Sequence, residues 1–141
     1  MGFLKTRPNA GDTVFALAKA LSQGNSAAAD ELLENKIIKI TDQSLYVAMV
    51  ELAQAMAPRL KPENAETVEA ALSPDHVPDN LKLAIQQLGQ ALLVNPINPA
   101  LKNVMADQFR SLKASKELWI ASLEMIMIMG RMAQRLNLQF G

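Results

Sequence analysis

Apolar residues recur every three or four positions along most of this chain, and almost nowhere do they alternate over a stretch bounded by turn residues, so the pattern predicts helices throughout. Gly11-Asp12 supplies a cap signal before Val14, Leu17, Ala18 and Leu21, which share one helical face; this first helix should end near Ser22, ahead of Gly24-Asn25. Residues 1–11 then form a flexible N-terminal segment. Ser26 is the expected cap of AAADELLENKIIKI, where Ala29, Leu33, Ile37 and Ile40 make a stripe and the helix-favouring run carries the helix on to Ile40. Thr41-Asp42 opens a third helix with Leu45, Met49, Leu52 and Met56 in register, closed by Pro58 and Pro62. A short acidic helix follows over 63–72, then the two-proline loop SPDHVPDN, then a helix from Asp79 to Val94 stopped by Asn95-Pro96.

Asn98-Pro99 restarts the helical pattern, since Asn caps well and Pro is tolerated in the first turn. From there to Gln139 the only interruption is Gly130, and a continuous helix would be roughly 60 Å long at 1.5 Å per residue. The row Leu112, Trp119, Ile126, Ala133 and Phe140 at seven-residue spacing favours continuity. A break around Ala114-Ser115 is the alternative, and both remain open from the sequence.

The segment AIQQLGQALLVNPIN, residues 84–98, resembles the second helix and turn of a tetratricopeptide repeat, with Ala84, Ile85, Ala91, Leu92, Pro96 and Asn98 at the family's positions. The preceding helix of such a repeat departs from the pattern, because Pro74 interrupts it and Val68, Ala71 and Leu72 stand where aromatic and Leu-Gly residues belong. The resemblance implies a helical hairpin and, at most, a repeat scaffold.

The stretch EMIMIMGRM, 124–132, carries four of the chain's eight methionines. Its neighbours ELWIASL and RMAQRLN are helix-like, so the alternation of Met and Ile is not a strand. On a helical wheel Lys102, Arg110, Lys113, Lys116, Glu117, Glu124, Arg131 and Arg135 gather on one side, facing water. Between Leu118 and Gly130, Ile120 and Met127 also fall there, which leaves the helix apolar nearly all round and predicts burial on every face. A membrane span needs about 20 apolar residues, and this run is shorter and contains Glu124. Two readings remain, a central core helix and a helix that also contacts a partner. Methionine suits surfaces that repack against a partner, and a glycine at 130 would let another backbone approach.

Composition removes much chemistry. There is no cysteine, so disulfides, thiolate metal sites and a cysteine nucleophile are excluded. Nucleophilic catalysis needs a base beside the nucleophile, and His76 is the only histidine; its neighbour Asp75 could raise its pKa, but in the proline loop it reads as an exposed residue. Glu63, Glu66 and Glu69 form a row without a second carboxylate helix or a Glu-x-x-His pair, and so a poor metal site. Charges balance at fourteen each, and no overall field draws the chain to nucleic acid. They are unevenly placed: three positive against one negative over 1–24 (+2), four against ten over 25–80 (−6), seven against three over 81–141 (+4). MGFLKTRPNAG lacks the apolar core of a secretory signal but fits the N-myristoylation pattern, with Gly2 as acceptor and Thr6 in place.

The expectation is an all-α, single-domain bundle of about six helices over 1–141, with a long C-terminal helix joined to its predecessor through the 95–98 turn as an antiparallel pair. The expected function is non-enzymatic and cytoplasmic, with no cofactor: a protein–protein interaction or assembly role, by homo-oligomerisation or docking of a partner helix. Trp119, Ile120, Leu123, Met127 and Gly130 are the candidate interface. The alternative is a small nucleic-acid-binding regulator using the basic face of the last helix, which six aromatics in all would equip poorly for stacking.

Overall fold

Capping hydrogen bonds written into the sequence set the first corner of the fold. In the computed structural model, which describes residues 10–72, 78–94, 103, 107, 109–112 and 115–138, α1 spans Ala10–Ser22. It starts before the cap signal, so Ala10 and Gly11 are helical and Asp12 lies in the first turn, where a carboxylate suits the helix dipole. At its end the Gly24 amide donates to the Leu21 carbonyl at 3.1 Å and the Asn25 amide to the Ala20 carbonyl at 2.9 Å. That closure needs a left-handed residue, and Gly24 provides it with φ of 70°. Asn25 then serves the next helix at once, its side-chain oxygen accepting from the Ala28 amide at 3.2 Å. The cap of α2 (Ser26–Asn35) is therefore Asn25 and not Ser26.

The expected run of α2 to Ile40 does not form. The backbone turns at Lys36 and tightens into a 3₁₀ turn over Ile37–Lys39, which puts Ile37 fully in the core and leaves Ile38 64% exposed. Two adjacent β-branched residues lose side-chain freedom in a helix, so leaving it here costs little. Thr41 caps α3 (Asp42–Met56) as predicted, its hydroxyl accepting from the Ser44 amide at 3.3 Å. Leu45, Met49, Leu52 and Met56 are all completely buried. Pro58 falls in a 3₁₀ turn at Ala57–Arg59, a second turn covers Pro62–Asn64, and α4 occupies Ala65–Ala71.

Pro78 leads into α5 (Asp79–Gly89), which widens into a π-helical turn over Gln90–Val94. Ala91, Leu92 and Leu93 in this wider turn are all buried, Leu92 and Leu93 within the main core. His76 with Asp75, and the Asn95-to-Asn98 turn with the antiparallel pairing it was expected to set, lie outside the described residues.

A single helix from Pro99 to Gln139 does not form either. The residues described at 103, 107, 109 and 110 are helical, but Ser111 and Leu112 are not. The Asp107 carbonyl accepts from both the Ser111 amide, at 3.0 Å, and the Ser111 hydroxyl, at 2.8 Å, just where the chain leaves the helix. The break so falls slightly before Ala114-Ser115, and the row through Leu112, Trp119 and Ile126 does not run down one continuous helix. The last helix, α6, spans Ser115–Leu136. Asn137 ends it with φ of 54°, and the Leu138 amide donates to the Ala133 carbonyl at 2.9 Å, the same closure as at Gly24 with Asn in the left-handed position.

Among the described residues there are six α-helices and no strand. α6 packs most extensively on α1 and α3, which also pack on each other, and touches α4 and α5 less. Ala121, Met125, Ile126, Met129, Met132 and Ala133 are completely buried. The α1 crossing is close: a β-carbon on Gly130 would sit 2.6 Å from Leu21 Cδ1 and 2.8 Å from Leu21 Cβ.

Within this apolar layer Ser122 is completely buried and its hydroxyl has no hydrogen-bond partner. An unpaired buried hydroxyl is destabilising, so Ser122→Ala should raise the unfolding free energy by about 1 kcal/mol in denaturant titration. A loss of stability on that substitution would mean the hydroxyl is satisfied.

Candidate functional site

No residue of α6 from Leu118 to Gly130 is exposed, yet burial is uneven around the helix. The sides facing α1 and α3 are sealed. On the remaining side Trp119, Ile120, Leu123, Glu124 and Met127 are half-buried, and spacings of three and four residues place Ile120, Leu123, Glu124 and Met127 in one stripe. Lys116 and Arg131 extend that stripe at its two ends, both exposed.

Individual residues are held in different ways. The Trp119 indole N–H donates to the Ile40 carbonyl at 3.0 Å, which ties the start of α6 to the connection between α2 and α3. Glu124 has its side chain only 16% exposed and meets Arg131 at 3.6 Å, two turns on. The pair brackets Met127, and with the Arg131 side chain 49% exposed it is screened and adds well under 1 kcal/mol. Ile120, Leu123 and Met127 thus share a face with Trp119 at its edge, whereas Gly130 is buried beneath Leu21 of the same chain. The glycine's close approach is spent on α1.

Of the basic face, Arg110, Lys116, Arg131 and Arg135 are exposed, Arg131 being engaged by Glu124; Lys102 and Lys113 lie outside the described residues. Among the described residues no group of three or more His, Asp or Glu side chains is placed to hold a metal ion. No described helix is long and apolar enough to cross a membrane. Two open clefts flank α1. One, of about 350 Å³, lies against α2 with Lys19, Asn25, Glu31 and Lys36 at its walls. The other, of about 380 Å³, lies against α3 with Gln43, Val47 and Glu51.

No protein-family model matches the chain, no curated protein matches it, and no solved structure matches it. Functional inference for this fold therefore rests on its own surface.

One cluster had no precursor in the hydrophobic pattern. Tyr46, on α3, stacks on Phe109 with ring centroids 5.8 Å apart, and the Arg110 guanidinium lies over the Tyr46 ring at 6.0 Å. Phe109 is almost wholly buried and fastens the helical residues before Ser111 to α3. The signal available was the adjacency of an aromatic and a cation at 109–110, which specifies no partner until the fold brings Tyr46 to it.

Burial raises the Tyr46 phenol above its ordinary value of 10.0; Arg110 opposes the shift and Asp107 adds to it. The folded chain then holds this proton more tightly than the unfolded chain does. Its contribution is complete below the unfolded value, about 10, and is lost as pH rises through the folded value. Urea midpoints measured from pH 8 to 11 should fall more steeply for the native chain than for Tyr46→Phe. Parallel slopes would remove Tyr46 from the alkaline transition.

Proposed function

We propose that this is a non-enzymatic interaction protein that associates through the outward side of α6, with Ile120, Leu123 and Met127 at the centre of the contact and Trp119 at its edge. One observation supports this above the rest: a helix sealed on the sides that meet α1 and α3 keeps a contiguous apolar row short of full burial, with cations at both ends of the stripe. Apolar burial along such a row supplies affinity, and flanking charges set register. Met127 is the adaptable member, since its unbranched thioether fits more than one opposing shape. Self-association is the form favoured here, because it needs no further component. The basic face is a weaker basis for nucleic-acid binding, since Glu124 already occupies Arg131.

Mass in solution, by light scattering after size exclusion, tests this directly. The native chain should form an oligomer that Met127→Glu converts to a folded monomer, a loss of about 2 kcal/mol or more of association energy. Met129→Glu, at a completely buried position, should instead unfold the chain and so calibrates the difference. A native chain that is monomeric at every concentration, or an oligomer indifferent to Met127→Glu, would overturn the assignment.

A further inference from the structure

Toward a peroxide, methionine is the most reactive side chain this protein offers, because it has no cysteine to react first. Access then decides which thioether is attacked. Met49, Met56, Met125, Met129 and Met132 are all 0% exposed, so their sulfurs meet a solute only when the chain opens. Met127 is the exception among the described methionines: it is half-buried in the closed fold. Met1 and Met105 lie outside the described residues. The one accessible thioether thus stands in the middle of the apolar row of α6, one turn from Leu123 and one turn from Arg131.

Building on the assignment of that row as the contact surface, we propose that Met127 is a site of reversible oxidation and that its sulfoxide weakens the α6 contact. The oxidant is a hydroperoxide. The Met127 sulfur attacks one peroxide oxygen, an S–O bond forms as the O–O bond breaks, the sulfur gives up two electrons, and the other oxygen leaves with the transferred proton as water or an alcohol. The product is polar and accepts hydrogen bonds. In the free chain water can solvate it, but within an apolar contact it would be buried without a donor, which opposes association. The coupling runs both ways: a contact that covers the thioether shields it, so associated chains resist oxidation and oxidised chains stay apart. The five sealed methionines keep the core out of this chemistry, so the fold survives the change at Met127.

The test treats the whole native chain with hydrogen peroxide over a range of protein concentrations, reads each methionine by peptide mapping, and follows mass by light scattering. Met127 should oxidise at least about tenfold faster than Met125, Met129 and Met132, which react only through opening. Its rate should fall as protein concentration rises. The oxidised chain should keep its helicity, associate with an apparent Kd raised at least about tenfold, and recover on treatment with methionine sulfoxide reductases for both epimers. Met127→Gln, an unbranched polar side chain of similar length, should weaken association likewise without peroxide. If Met127 oxidises no faster than the sealed methionines, the site is overturned. If peroxide also dissociates Met127→Leu, the switch belongs to another residue. If Met127 is oxidised selectively and the oligomer persists, while Met127→Glu still dissociates it, the switch is overturned and the α6 assignment survives. If the native chain is monomeric throughout, the α6 assignment falls and takes the switch with it, whereas selective oxidation at Met127 still upholds the modification site.

Discussion

Everything in this bundle hangs on how closely α1 and α6 approach at Gly130. With no side chain there, Leu21 lies against the α6 backbone, within a distance that a β-carbon would violate. That approach brings the fully buried residues of α1, Val14, Leu17 and Ala18, onto the same core as Met125, Met129 and Met132, and α3 packs against both helices. The peripheral helices α2, α4 and α5 then need only short apolar faces; α2 buries a single residue of its own, Ala29. A small, tightly crossed centre carries the fold, and the outer elements are fastened to it by specific links such as the Trp119 indole on the Ile40 carbonyl and the Tyr46 stack on Phe109.

The methionines make sense in that setting. Where helix axes are close, space between them is irregular, and unbranched thioethers fill it with fewer rotamer conflicts than Leu or Ile would meet. Met125, Met129 and Met132 are completely buried in the core, whereas Met127 is only half-buried. The same residue type therefore has two environments on one helix, settled by a rotation of about 100° per residue. Our functional proposal concerns the second environment, and the core argument concerns the first.

What was legible in the sequence follows from which forces are local. Helix interiors were legible because spacings of three and four residues show which side is buried: Leu45, Met49, Leu52 and Met56 needed no tertiary information. The all-round burial predicted for 118–130 was legible for the same reason. Boundaries were less so, since a cap depends on which of two adjacent polar residues reaches an amide, as Asn25 does before Ser26. The π-turn at Gln90–Val94 and the end of the helical residues at Ser111 leave no mark in the spacing of apolar positions. Among the candidate interface residues, Gly130 joined Trp119, Ile120, Leu123 and Met127 because a glycine lets another backbone approach, and the approaching element is α1 of the same chain. Only the crossing with α1 separates it from them.

Substituting Gly130 by alanine tests that crossing most directly, because two ordinary effects have opposite signs there. In a helix without close neighbours, alanine for glycine stabilises by up to about 1 kcal/mol. At a contact where the new carbon meets the Leu21 Cβ, which cannot swing away as a side-chain tip can, overpacking should cost about 1–3 kcal/mol instead. Denaturant unfolding of Gly130→Ala should therefore show a loss of stability; a gain would mean that α1 and α6 do not approach as described and that the core is organised around some other contact.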